Sequence, residues 1–78
     1  MELDGKVAVV TGGTRGVGAG IARSLVAAGA KVLLCARRPP EVAVPGTEFI
    51  QLDVRDGDAV RRVLTALPRL DILVNNAG

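Results

Sequence analysis

One short stretch constrains this chain more than any other. The apolar run Val7-Ala8-Val9-Val10 leads straight into Thr11-Gly12-Gly13-Thr14-Arg15-Gly16-Val17-Gly18, with glycine at 12, 13, 16 and 18. Beyond it Val17, Ile21, Ala22, Leu25 and Ala28 recur at helical spacing. The run has the length and β-branched content of a strand buried on both faces. The chain must therefore turn tightly from a buried strand into an amphipathic helix. Gly12 permits the turn, Gly16 leaves no side chain where a ligand would approach, and Gly18 lets the helix pack closely. Free N–H groups and the positive end of the helix dipole make such a helix start an anion site. The spacing is Gly-x-x-x-Gly-x-Gly, not Gly-x-Gly-x-x-Gly. No Gly-Lys-Ser/Thr closes it, which excludes a P-loop. Taken alone, the turn also reads as a plain strand-to-helix connection.

The rest of the chain continues the alternation. Residues 17–28 read as a helix, with Gly29 placed to end it. Lys31 to Ala36 is a second buried strand, stopped by Pro39-Pro40. Residues 39–47 hold three prolines and a glycine, so an irregular connection is expected, with room for one helical turn at most. Glu48 to Leu52 forms a third strand. Asp56 can cap a second helix, Asp58 adds negative charge to its first turn, and Val60, Val63, Leu64 and Leu67 form its apolar stripe. Pro68 ends it, and Asp71 to Asn75 is a fourth strand. The alternation implies an α/β fold, a parallel sheet with right-handed crossovers and helices on both faces. The doubly wound strand order is 3-2-1-4, with a crevice between strands 1 and 4 at their carboxyl ends. The glycine-rich turn and Asn75-Asn76-Ala77-Gly78 meet there.

Composition narrows the function classes. A chain of 78 residues has little stability to spare. Its apolar content is mostly Val, Leu and Ala, as expected of parallel strands under helices, and Phe49 is the sole aromatic. A net charge of +2, with scattered basic residues and no aromatic platform, argues against a nucleic-acid partner. No histidine and a single cysteine cannot build a zinc site, so no metal residues are expected. Cys35, inside an apolar run, reads as a buried, inert thiol. No apolar stretch is long enough to span a membrane, and Met1-Glu2-Leu3-Asp4-Gly5-Lys6 resembles no targeting peptide, so a cytoplasmic location is expected.

Two ordered motifs carry a family resemblance. Thr11-Gly12-x-x-x-Gly16-x-Gly18 is similar to the cofactor fingerprint of the short-chain dehydrogenases/reductases, in their classical subtype. Asn75-Asn76-Ala77-Gly78 resembles the family's second motif, at the end of strand 4. Asp53 after strand 3 and Asp71 opening strand 4 also match. Arg15 stands where the extended subtype would want glycine. The resemblance covers the whole chain and implies a Rossmann-type dinucleotide-binding domain, of which residues 1–78 are the N-terminal part. By resemblance, Thr14 and Val17 join Gly12, Gly16 and Gly18 around the phosphates. Asp53 would accept the adenine amino group, with Val54 contributing backbone. The backbone of Asn76, Ala77 and Gly78 would lie against the adenosine. Asn75 reads as structural, bonding across to the first turn.

The end of strand 2 bears on which nicotinamide cofactor is used. An acid there commonly accepts the adenosine ribose hydroxyls of NAD. By the family pattern Ala36 holds that place, Arg37 follows, and Arg15 projects from the turn towards the same region. Guanidinium groups suit a 2′-phosphate through forked, charge-assisted bonds. The expected cofactor is thus NADP in preference to NAD, with Arg37 and Arg15 as its phosphate ligands. Arg37 and Arg38 also read as ordinary surface charges after a strand.

In this family a Tyr-x-x-x-Lys motif with a serine carries acid–base catalysis. The present sequence contains no tyrosine, and its two lysines, Lys6 and Lys31, open strands at the opposite end of the sheet. No catalytic residue is expected among the 78. The expected activity is hydride transfer between the cofactor and a carbonyl or alcohol substrate, performed by a longer, homo-oligomeric protein. A non-enzymatic NADP sensor and an inert truncated product share every motif. Strand 4, rich in Ile, Leu and Val, is expected to leave the isolated chain prone to aggregation or partial unfolding.

Overall fold

A computed structural model describes residues 2–12, 16–40 and 42–76. Four strands and two helices alternate in it: β1 (Val7–Thr11), α1 (Gly16–Ala27), β2 (Lys31–Ala36), β3 (Thr47–Gln51), α2 (Gly57–Ala66) and β4 (Ile72–Asn75). All pairings are parallel, and the sheet order is β3-β2-β1-β4, as the alternation requires. Element ends differ from the sequence-based expectation by a residue or so. For example, β1 runs on through Thr11, which still pairs with Cys35 and Asn75.

β1 lies at the centre, and all five of its residues are buried. The period of two along each strand divides the core into two layers. Ala8, Val10, Val32 and Leu34 point to one face, where Ala22 of α1 is buried and Leu25 and Val26 are packed. Val7, Val9, Leu33 and Cys35 point to the other, under Val60, Val63 and Leu64 of α2. Each helix therefore covers one face of the same two central strands.

The connection from β2 to β3 is irregular among its described residues. Val44 drops from it into the α1-side core and is buried there. The Val44 carbonyl accepts from the Thr47 hydroxyl (2.6 Å) and the Thr47 N–H (3.3 Å). Gly46, between them, has φ +82°, and a Cβ there would stand 2.6 Å from Val26 Cγ1. One buried side chain and a tight turn do the covering that a helix would otherwise do.

α2 begins as expected. Asp56 caps it, its Oδ1 accepting from the Ala59 N–H at 3.1 Å, and Asp58 lies in its first turn. α1 ends at Ala27, with Gly29 at φ +99° just beyond. No residue of α2 is fully buried, and Leu73 of β4 remains 53% exposed.

Candidate functional site

The carboxyl ends of parallel strands are where an open α/β sheet binds its ligands. At the centre of that edge, the Thr11 hydroxyl ties the end of β1 to the end of β4. Its Oγ1 lies 3.2 Å from Asn75 Oδ1 and 3.3 Å from the Val74 carbonyl oxygen. A hydroxyl has one proton, so it serves one of these acceptors at a time. The same oxygen accepts the Asn76 N–H at 3.1 Å. Asn76 Nδ2 donates to the Gly12 carbonyl at 3.4 Å, and the Gly12 N–H donates to the Cys35 carbonyl at 2.8 Å. The ends of β1, β2 and β4 are thereby fixed to one another at the switch point of the sheet.

Thr11 was not singled out as a site residue by the sequence. The available signal was a threonine closing a buried strand directly before the first glycine. Asn75 does play a structural part, through Thr11, while the bond to the turn itself comes from Asn76.

The first turn of α1 opens from the same edge. Gly12 and Gly16 have φ +67° and +61°, which L side chains rarely adopt. A Cβ built on Gly16 would meet nothing within 4 Å, so the space over the helix start is open. Gly18 is buried, bringing the helix close to the sheet, and Val17 stands 73% exposed beside it. The first turn of α1 contains no acid. The start of α2, by contrast, already carries Asp56 and Asp58. Of the two helix starts, both at the carboxyl edge of the sheet, that of α1 is left without a counter-charge from its own first turn. This arrangement fits a pyrophosphate.

Arg37 and Asp53 stand on neighbouring strand ends. The Leu52 N–H donates to the Ala36 carbonyl at 2.8 Å, and Gln51 Nε2 donates to the Arg37 carbonyl at 3.0 Å. The Arg37 side chain is exposed. The Asp53 carboxylate, 36% exposed, is held by Arg55: Nε lies 3.0 Å from Oδ1, Nη2 lies 2.8 Å from Oδ2, and the Arg55 N–H donates to Oδ1 at 2.9 Å. The Arg55 bonds hold the Asp53 carboxyl down at about 2, against an ordinary 3.8, and Arg37 adds a smaller push the same way. Asp53 is thus ionised at neutral pH. Val54 follows, partly exposed, on the wall of a cavity of about 150 Å³ that Val9, Cys35, Leu52 and Val63 also line. Burial pushes the Cys35 thiol up, as befits an unreactive cysteine.

Thr14, Arg15, Ala77 and Gly78 lie outside the described residues. The other predicted positions, Gly12, Gly16, Val17, Gly18, Arg37, Asp53, Val54 and Asn76, all belong to the turns and ends at this edge of the sheet. Among the described residues no group of three or more His, Cys, Asp or Glu could hold a metal ion. None of the described helices is long and apolar enough to cross a membrane.

Comparison with known proteins agrees with this geometry. The short chain dehydrogenase family profile matches residues 6–78. L-fucose dehydrogenase of Bos taurus is 45% identical over 83 residues, covering 95% of this chain and 31% of that protein. A short chain dehydrogenase from Leptospira borgpetersenii with bound NAD+ superimposes with a TM-score of 0.87 at 26% identity, over 99% of this chain and 33% of that one. The Pseudomonas aeruginosa RhlG/NADP active-site complex gives a TM-score of 0.80 at 36% identity, over 99% of this chain and 36% of that one. The chain spans about a third of the length of these relatives. With the sheet order, the glycine-rich helix start and these matches in agreement, the chain belongs to the short-chain dehydrogenase/reductase family.

Proposed function

We propose that residues 1–78 form the cofactor-binding half of an NADP-dependent oxidoreductase that moves hydride between the nicotinamide and a carbonyl or alcohol. The observation that carries the reading is the end of β2. Ala36 closes the strand where an acid would favour NAD, and Arg37 follows it, exposed and beside Asp53. The relatives include proteins solved with NAD+ and with NADP, so the choice rests on these residues of the chain itself.

In this reading the residues bind and orient. The N–H groups at the start of α1 take the pyrophosphate, with Thr14 beside them. Gly12 and Gly16 keep side chains out of its path, Val17 flanks it, and Gly18 seats the helix. Arg37 and Arg15 take the 2′-phosphate. Asp53 accepts the adenine amino group, with the Val54 backbone beside it. Asn76, Ala77 and Gly78 lie along the adenosine. When bound, the cofactor supplies the hydride. No tyrosine is present in these residues, so the proton donor belongs to the part of the protein that the relatives have and this chain does not span. The intact protein is read as a homo-oligomer, as the family resemblance implies, and as cytoplasmic, which the free, buried Cys35 fits.

The test is a calorimetric titration of the intact protein with NADP and NAD. A charge-assisted bond contributes about 1.5–3 kcal/mol. NADP should therefore bind roughly 100-fold or more tightly than NAD, and Arg37→Ala should remove about ten-fold or more of that margin. Equal affinities, or an Arg37→Ala protein that keeps the full margin, would overturn the reading.

A further inference from the structure

We propose that Arg55 is a positioning residue of the adenine subsite, holding the Asp53 carboxylate so that a single lone pair of Oδ2 faces the base. The proposal rests on the reading of Asp53 as the acceptor of the adenine amino group.

The argument is a count of acceptor positions. A carboxylate oxygen takes about two donors. Oδ1 of Asp53 has two, the Arg55 N–H at 2.9 Å and Arg55 Nε at 3.0 Å. Oδ2 takes Arg55 Nη2 at 2.8 Å, with Nε only a weaker second contact at 3.2 Å. Oδ1 is thus filled, and one strong acceptor position remains, on Oδ2. The guanidinium fork and the backbone N–H approach from one residue, so together they fix both torsions of the aspartate side chain. Asp53 stands on the edge where the ligand would lie, in the turn between the end of β3 and the start of α2. Its backbone is pinned too, because its carbonyl accepts the Asp56 N–H at 3.0 Å.

Such an exposed pair adds little to stability, since solvent screens it and ordering two side chains opposes it. Its effect should instead appear in base selection. The 6-amino group of adenine donates a hydrogen bond, whereas the 6-oxo group of hypoxanthine accepts and would face the carboxylate oxygen unfavourably. A carboxylate held in one orientation discriminates between them, and a freely rotating one discriminates less.

The experiment measures calorimetric dissociation constants of the intact protein for NADPH and for its hypoxanthine analogue. Four proteins are compared: wild type, Asp53→Ala, Arg55→Ala and Arg55→Lys. Wild type should favour adenine by about ten-fold or more. Asp53→Ala should abolish the preference. Arg55→Ala should cut it by about three- to ten-fold, with the melting temperature nearly unchanged. Arg55→Lys, which keeps a charge but not the fork, should fall between. An unchanged preference in both Arg55 variants, with a collapsed one in Asp53→Ala, overturns the role of Arg55 and leaves the reading of Asp53 standing. No preference in wild type overturns both.

Discussion

Asp71 Oδ2 accepts the Val7 backbone N–H at 2.8 Å, and the Asp71 N–H returns to the Val7 carbonyl at 2.9 Å. The pair closes the amino end of the β1–β4 ladder, just before the first paired residues, Ala8 and Ile72. Arg69 grips the same carboxylate with two bonds, of 2.8 and 2.7 Å. The Arg69 bonds, then the Val7 N–H, hold the Asp71 carboxyl at about 2, against an ordinary 3.8. A carboxyl depressed in the folded state stabilises the fold above its unfolded value and loses that contribution as pH falls through the folded one. Stability should therefore decline between about pH 4 and pH 2, with the solvent-screened Asp53 adding little over the same range. Asp71→Asn should melt at a lower temperature at pH 7 and show a shallower acid limb. An identical limb in thermal melts across that range would refute this.

Thr11→Val should loosen the other end of the same ladder. The valine keeps the shape but removes the acceptor of the Asn76 N–H and the donor to Asn75 or Val74. Thr11 is only 8% exposed, whereas Asn76 is exposed, so the penalty falls mainly on the buried, Thr11 side of these bonds. The cost should be about 1–3 kcal/mol in denaturant titration. Thr11→Ser, which keeps the hydroxyl, should recover most of it.

Gly46→Ala combines two penalties. A left-handed backbone costs a non-glycine residue about 1–2 kcal/mol. The new methyl also meets Val26 Cγ1 at 2.6 Å, and valine is stiff about χ1. The total should be about 2–4 kcal/mol. A double-mutant cycle with Val26→Ala separates the parts: the steric share should disappear and the backbone share remain.

Ala36→Asp should move cofactor choice in the opposite direction to Arg37→Ala at the same strand end. A carboxylate there can accept the ribose hydroxyls and repels a 2′-phosphate. NADP affinity should fall by about 100-fold while NAD affinity rises, since like charges in contact cost several kcal/mol. A parallel loss of both affinities would instead indicate damage to the sheet edge.

The isolated 78-residue chain should self-associate. β4 pairs only with β1, and Leu73 on that edge strand is half exposed. Leu73→Lys should shift its size-exclusion profile towards monomer. A monomeric parent chain with a cooperative melt would contradict the expectation.

The sheet order was legible because alternating buried strands and helices leave few right-handed solutions. Asp56 as a cap and Gly29 beyond α1 were legible because both signals are local. Asp53, directly before Val54-Arg55-Asp56-Gly57, also reads from sequence as a turn residue, besides the adenine acceptor that the family resemblance implies. The structure displays the turn: the Arg55 N–H on Oδ1 is an interaction between residues two apart. What remained hidden was long-range or conformational. Thr11 meets Asn75 and Asn76 across more than sixty residues, and no local pattern announces such a contact. Val44 sits in a proline-rich stretch with no periodicity, so nothing marked it as core. The grip of the Arg55 side chain on Asp53 depends on rotamers, which composition does not specify.

Val44 also has a consequence for how the sheet opens. β1 is shielded by strands on both sides and by a helix on each face, whereas β3 has a neighbour only in β2. On the α1 face, the helix core reaches β3 through Phe49, next to a single inserted valine. Protection of backbone amides against exchange with heavy water should therefore be graded across the sheet, deepest in β1 and thinner at both edge strands, Thr47–Gln51 and Ile72–Asn75. The fold should breathe from its edges inward, so the strand end that carries Asp53 belongs to a less protected part of the sheet, while Thr11 belongs to the most protected.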